Sequence, residues 1–68
     1  MTPTPRQMGK TLKTLRSKKK LSQAALAQRA GLSREYVNKI EAGRYDPPLS
    51  TLNSLAKALG VPVTELLG

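Results

Sequence analysis

Apolar residues recur every three or four positions along most of this chain, which is the spacing that places side chains on one face of a helix. The clearest run lies in the last third of the sequence and consists of Leu49, Leu52, Leu55, Ala56 and Leu59. Shorter runs of the same kind are Met8, Leu12 and Leu15, and then Leu26, Ala27 and Ala30. The pattern predicts an all-α protein with helices near residues 5–19, 23–30, 34–42 and 49–59, and a last short turn or helix near residues 63–67.

The first helix has a start signal of its own. Thr4 can cap a helix, Pro5 suits the first helical position, and Gln7 can complete a capping box with Thr4. The residues at the start of the chain, 1–4, are expected to be frayed. Because 68 residues are too few for two domains, residues 1–68 are expected to form a single domain.

Residues 21–44 organise the chain and predict a helix-turn-helix. Ser22 precedes an Ala/Leu-rich run and is a candidate N-cap. Gly31 follows that run, where a helix end favours a residue that tolerates positive φ. Ser33 offers a second N-cap and Gly43 a second stop. These signals predict two short helices joined by a tight turn.

The second of these two helices has two different faces. Val37 and Ile40 point one way, with Tyr36 at the edge of their stripe. The opposite face is small or polar and consists of Arg34, Glu35, Asn38, Lys39 and Ala42. Such a helix can bury one stripe in a core and offer the other to the major groove of DNA.

Positive charge is concentrated at the start of the chain. Twelve Lys and Arg against four Asp and Glu give a net charge of +8. Seven of the twelve cations lie in the first twenty residues, and no acid precedes Glu35. A single lysine in this region is as easily part of a solvated helix face as of a binding surface. The collective excess indicates a polyanionic partner, because like charges repel and destabilise the fold.

Composition removes several function classes. The chain has no Cys and no His, so it lacks disulfides, the ligands of zinc fingers and the usual general base. We therefore expect no metal, no cofactor, no small-molecule ligand and no enzymatic activity. No apolar run is long enough to span a membrane, and the start MTPTPRQMGK lacks an apolar signal region. The expectation is a soluble cytoplasmic protein.

Two stretches of the chain carry a family resemblance: LSQAALAQRAGLSREYVNKIEAGR at residues 21–44 and LNSLAKALGV at residues 52–61. They resemble the helix-turn-helix domain of the Cro and lambda-repressor-like family, also called the XRE type. The resemblance extends from about residue 6 to the end of the chain. It includes the apolar spacing, the turn glycine, Ser33, Glu41, Gly43 and the fourth helix. It implies a five-helix bundle and a bacterial or phage transcriptional regulator.

The resemblance also implies which residues meet DNA. The third helix would enter the major groove, with base readout by Arg34, Glu35, Tyr36, Asn38 and Lys39. The contacts to the DNA backbone, or within helix two, would come from Ser22, Gln23, Ser33 and Arg44. The roles of three of these residues stay open. Gln23 can instead be a helix former on the surface, and Glu35 can either accept from cytosine or orient a neighbouring cation. Tyr36 can contact phosphate, a thymine methyl group or the edge of the core.

Other residues carry structural roles in the same resemblance. Glu41 is expected to pair with Arg16 of the first helix, although a plain exposed acid is the alternative. Gly31 and Gly43 end their helices. The chain departs from the family pattern at Ala25, which leaves the capping box of the second helix incomplete, and at Pro48, where a capping serine is usual.

The function expected from these features is sequence-specific binding to double-stranded DNA by a transcriptional regulator. We expect a repressor that acts as a homodimer on a palindromic operator. An antitoxin and a restriction–modification controller share the same sequence pattern. From other classes, an RNA-binding or ribosome-associated protein is disfavoured because the chain has only two Tyr and no other aromatic residue, and an interaction module or small enzyme lacks a supporting constellation.

Overall fold

The computed structural model describes residues 3–67, in which five helices form an all-α bundle. The helices are α1 (Pro5–Lys18), α2 (Gln23–Ala30), α3 (Arg34–Glu41), α4 (Leu49–Leu59) and α5 (Thr64–Leu67). The five predicted helices are confirmed, and no boundary differs by more than one residue. Met1, Thr2 and Gly68 lie outside the described residues, so the expected fraying of Met1 and Thr2 stays a prediction.

Thr4 corrects the expectation that residues 1–4 fray together. Its Oγ1 accepts a hydrogen bond from the Gln7 backbone N–H at 3.1 Å. Its own N–H donates to Gln7 Oε1 at 3.0 Å, which completes the capping box. Two reciprocal bonds satisfy two N–H groups that a helix start would otherwise leave unpaired, so Thr4 belongs to the ordered end of α1.

The two serines of the helix-turn-helix cap their helices. Ser22 Oγ accepts from the Ala25 N–H at 3.0 Å, and Ser33 Oγ accepts from the Tyr36 N–H at 3.1 Å. Between the helices, Gly31 lies in the left-handed region at φ 70° and ψ 31°. That conformation lets the next N–H donate back to the Ala27 carbonyl at 2.8 Å and turns the chain toward α3.

The start of α4 agrees with the sequence expectation at Pro48 and differs from it at Leu49. No side chain caps this helix, because its N-cap is Pro48. Leu49, which the apolar pattern placed on the buried stripe, is 58% exposed. It is the first residue of the helix, and side chains in a helix tilt toward its N-terminus, so Leu49 extends past the helix end. Pro47 is buried in this region.

The core is aliphatic and is drawn from all five helices. Its buried side chains are Met8, Leu12, Leu26, Ala27, Val37, Ile40, Leu52, Leu55, Ala56, Leu59 and Leu66. Leu15, Ala30 and Tyr36 are partly buried and pack against this cluster. Among residues 3–67, no polar or charged residue is buried as a whole. The polar contacts between α1, α2 and α3 lie at the edge of this core.

Gly9 sets the distance between α1 and α3. It is buried in the middle of α1, and a Cβ built there would overlap the Ile40 carbonyl oxygen and lie 2.8 Å from that of Glu41. The two backbones therefore touch at this point, which only glycine permits. The sequence analysis did not single out Gly9, because a glycine inside a helical pattern reads locally as a weak helix position.

We predict that Gly9→Ala lowers the thermal midpoint. The same change in an open helix interior stabilises by about 1 kcal/mol, so the sign is diagnostic. Here overpacking against the α3 carbonyls should cost about 1–3 kcal/mol. Ser17→Ala, at an exposed position of the same helix, is the control and should leave the midpoint unchanged or higher. A stabilised Gly9→Ala variant would show that the helices do not touch in solution.

We also predict that Gly31→Val destabilises the protein by more than about 1 kcal/mol, because a β-branched residue is strained at positive φ. No atom lies within contact distance of a Cβ at this position, so backbone strain is the only cause available. Gly31→Asn should cost less, since asparagine tolerates the left-handed region. Equal melting curves for the wild type and Gly31→Val would remove the turn assignment.

Candidate nucleic-acid interface

A bidentate ion pair joins α1 to the end of α3. Arg16 Nε donates to Glu41 Oε2 at 2.6 Å, and Arg16 Nη2 donates to Oε1 at 3.1 Å. The side chains are only 13% and 4% exposed, which shields the pair from water. The hydrogen bond to Glu41 is the main reason that the pKa of Arg16 rises above its ordinary value, and burial opposes it. The pairing inferred from the family resemblance is therefore present in the structure.

The ion pair extends into a network that reaches α2. Gln23 Nε2 donates to Glu41 Oε1 at 3.0 Å, and Asn38 Nδ2 donates to Gln23 Oε1 at 3.3 Å. Arg16 Nη1 donates to the Leu21 carbonyl at 2.8 Å. Gln23 is therefore held by two hydrogen bonds within the protein, which limits how far its side chain can turn toward a ligand. The network fixes α3 against α1 and α2 by directional bonds.

The outer face of α3 presents its polar side chains together. Arg34, Glu35, Asn38 and Lys39 are exposed and line one open groove with Arg44, which follows the helix. Four of the five side chains predicted to read bases thus share one surface with a residue predicted to meet phosphate. Ala42 of the same face is also exposed, at the C-cap of the helix.

Tyr36 takes a different position and has a partner that the sequence analysis missed. It is partly buried, and its ring meets that of Tyr45 edge to face, with centroids 5.6 Å apart. Lys39 Nζ lies 5.5 Å from the Tyr45 ring centroid, within the range of a cation–π contact. A large aromatic residue in a proline-bounded loop was the available signal for Tyr45, but sequence spacing does not show which helix it meets.

The remaining predicted residues lie at helix ends around this surface. Ser22 and Ser33 use their oxygens as caps, which leaves each hydroxyl hydrogen free to donate. Gly43 has φ 77°, and a Cβ there would lie 3.0 Å from the Arg6 Cα. The loop that carries Arg44 therefore packs against the first turn of α1.

No helix within residues 3–67 is long and apolar enough to cross a membrane. The same residues contain no group of three or more His, Cys, Asp or Glu side chains placed to hold a metal ion.

Comparison with known proteins gives a consistent result. The model of a family described as a helix-turn-helix domain matches residues 7–67. The immunity repressor protein of Bacillus phage phi105 is 46% identical over 61 residues, which are 90% of this chain and 42% of the repressor. An HTH-type transcriptional regulator of Sinorhizobium fredii is 40% identical over 88% of this chain and 78% of its own length.

A solved structure shows the same fold. The restriction-modification controller protein C.AhdI from Aeromonas hydrophila superposes with a TM-score of 0.90 at 39% identity. The match covers 91% of this chain and 94% of the controller. This chain thus spans nearly all of one relative and less than half of the phage repressor.

We predict strong energetic coupling between Arg16 and Glu41. Removing one partner of a buried pair leaves an unpaired charge and costs about 3–5 kcal/mol, whereas an exposed pair contributes under about 1 kcal/mol. With Glu41 almost inaccessible, Glu41→Ala should lie near the larger value. A double-mutant cycle of Arg16→Ala and Glu41→Ala on urea unfolding measures the coupling.

Arg16→Lys provides the control for geometry, because lysine keeps the charge but cannot make the bidentate contact. It should recover only part of the stability. If the cycle shows no coupling, the ion pair does not hold α3 in place.

Proposed function

This chain belongs to the helix-turn-helix domain family of DNA-binding transcriptional regulators, and we propose that it is a repressor that reads a specific double-stranded DNA sequence through α3. The observation that carries this proposal is the division of α3 into two faces. Val37 and Ile40 are fully buried, while Arg34 and Lys39 lie exposed beside Arg44 in one groove. A helix held in this way can present its exposed face to the major groove while its apolar face stays buried in the core.

The side chains of the groove have the chemistry of base readout. Arg34 can donate two parallel hydrogen bonds to guanine O6 and N7, and Lys39 also favours guanine. Asn38 keeps its amide oxygen and one N–H free for a base edge, since only one of its hydrogens is used by Gln23. Glu35 can accept from cytosine N4, or it can orient Arg34.

The backbone contacts in this proposal come from the helix ends. The N-termini of α2 and α3 carry the hydroxyls of Ser22 and Ser33, and helix N-termini favour anions such as phosphate. Gln23 retains one N–H for the same purpose. Arg44 follows the C-terminus of α3, where the edge of the groove would meet the sugar–phosphate backbone. These contacts would set register, while α3 supplies sequence preference.

We further propose that the protein binds as a homodimer on a palindromic operator in the cytoplasm. A helix of eight residues reaches only a few base pairs, so a single copy offers limited discrimination. Two copies related by a two-fold axis would place their α3 helices one DNA turn apart, which doubles the number of bases read. The operator symmetry would then mirror the protein symmetry.

A second candidate is a controller in a restriction–modification system. It is favoured by the match to the controller from Aeromonas hydrophila, which covers 94% of that protein. Both candidates use the same DNA-binding mode and differ in the genes that they regulate. No observation favours an antitoxin role.

Selection of bound sequences from a random duplex pool tests this proposal. The expected result is a short palindrome whose half-sites are centred about one helical turn, or 10 base pairs, apart. A single asymmetric site would contradict the dimer. A pool that shows no enrichment would contradict sequence-specific readout altogether.

Two arginines should separate readout from backbone binding. Arg34→Ala should weaken binding to the selected operator by about 1–3 kcal/mol and relax preference at one base pair, because a bidentate base contact is lost. Arg44→Ala should weaken binding to operator and scrambled duplexes alike and reduce the salt slope by about one unit, because one phosphate contact is lost.

Titration of both variants against both duplexes at several salt concentrations provides the measurement. Each variant removes one positive charge, so they serve as controls for each other. If Arg34→Ala weakened operator and scrambled binding equally, α3 would not be reading bases through Arg34.

A further inference from the structure

The outer side of α1 carries a row of cations that the contacts described so far do not use. Arg6, Lys10 and Lys13 recur at i, i+4 and i+7, so they lie along one side of the helix. All three are exposed. We call this row the α1 ridge. Lys10 and Lys13 of this row also line a shallow open depression together with Thr14, Ser17 and Lys18.

The charge of the α1 ridge is not neutralised within the protein. No Asp or Glu precedes Glu35 in the sequence. In the part of the chain that the structure describes, the one ion pair is Arg16–Glu41, on the inner side of α1. Like charges at i and i+4 of a helix repel and destabilise it. The ridge therefore carries an unfavourable energy that an external anion would relieve.

The chain carries further positive charge just after α1, at a position where the backbone is strained. Lys20 adopts φ 57°, in the left-handed region that is strained for a residue with a side chain. Glycine would relieve that strain, yet the position holds a third consecutive lysine after Lys18 and Lys19. Lys18, Lys19 and Lys20 therefore extend the run of positive charge past the end of α1.

The α1 ridge begins next to the surface assigned to DNA. Because Gly43 packs against Arg6, the first turn of α1 adjoins the loop that carries Arg44. Arg44 itself lines the α3 groove. Positive side chains therefore extend from the α3 groove, at Arg44, to Arg6 at the start of α1, and then along the α1 ridge. A phosphate backbone that meets Arg44 lies near the start of this row.

We propose that the α1 ridge binds the phosphate backbone of the same duplex, outside the base pairs that α3 reads. This inference rests on the proposed function for its choice of partner. Seven residues of helix rise by roughly 10 Å, and one strand of DNA presents a charge about every 3.4 Å along its axis, so the ridge matches about three successive phosphates. The contact adds affinity and salt dependence without adding sequence preference.

The proposal is tested with duplexes that differ in length around the same selected half-site. One contains about 10 base pairs, a single helical turn, and the other about 30, which adds flanking backbone on both sides. A third duplex of the longer length has a scrambled sequence. Binding of the wild type, Lys10→Gln, Lys13→Gln and the double variant is measured at several salt concentrations. Circular dichroism checks that each variant is folded.

Lys57→Gln is the matched control. It removes one positive charge from an exposed position near the end of α4, a helix that packs mainly on α2. Any loss of binding caused by net charge alone should appear equally in this variant. The difference between Lys57→Gln and the α1 variants isolates the effect of position.

On the longer duplexes, the double variant should lose about 1.8 units of salt slope, and roughly tenfold or more in affinity near 0.1 M salt, because two phosphate contacts are gone. Each single variant should lose about half of that slope, whereas Lys57→Gln should bind nearly as the wild type does. On the short duplex, wild type and double variant should bind alike. The scrambled duplex should show the same slope loss as the longer operator.

Several outcomes would overturn the inference. Unchanged slopes in the α1 variants would mean that the ridge does not touch DNA, and an equal loss in Lys57→Gln would reduce the effect to net charge. An equal loss on the short duplex would place the lysines inside the half-site. These results differ from failure of the proposed function, in which the wild type would bind operator and scrambled duplexes equally while the α1 variants still weakened binding to both.

Discussion

Glu41 accepts hydrogen bonds from Arg16 of α1 and from Gln23 of α2 while its own backbone ends α3. One carboxylate therefore connects the three helices that build the candidate interface. An unpaired carboxylate at 4% exposure would cost several kcal/mol, so any arrangement that separates α3 from its neighbours is strongly penalised. Val37 and Ile40 bury one face of α3 in the core, and the bonds of Glu41 add the directional contacts that fix the orientation of the helix.

The contact in turn depends on how closely α1 approaches α3. Gly9 lets the two backbones touch at the end of α3, at the carbonyls of Ile40 and Glu41, and Arg16 lies two turns further along α1. A larger residue at position 9 would push α1 outward, and the guanidinium could then not keep both of its bonds to Glu41. Apolar packing, backbone contact and the ion pair thus act as one unit, in which the aliphatic core supplies cohesion and the polar contacts supply orientation.

The fold was predictable because its signals are local. Thr4, Ser22 and Ser33 cap helices with bonds to residues three positions away, so the sequence alone locates those boundaries. The features that escaped prediction depend on residues distant in the chain. Gly9 meets α3 across more than thirty positions, and Tyr45 meets Lys39 only because the loop folds back on α3. Leu49 was misplaced for a different reason, since helical periodicity ignores the tilt of side chains at a helix start.

The candidate interface combines side chains that are already held with side chains that are free. Asn38 is bonded to Gln23, and Lys39 lies against the Tyr45 ring, which itself rests on Tyr36. Side chains fixed in this way lose less conformational entropy when a ligand orders them. Arg34 has no such partner among the described contacts and would lose most of its rotamer freedom, a cost of about 1.5–2 kcal/mol.

The difference in restraint between Arg34 and the held residues affects how much each contributes to base discrimination. A bidentate contact from Arg34 must first offset its ordering cost, so a mismatched base that allows only one hydrogen bond leaves little net gain. Lys39 and Asn38 lose less conformational entropy when they bind a base. They also gain less from a correct base, because Asn38 already donates one hydrogen bond to Gln23 and Lys39 already lies against the Tyr45 ring. Discrimination in the groove should therefore be concentrated at the start of α3, where the least restrained cation lies, while the held residues later in the helix shape the surface against which that cation acts.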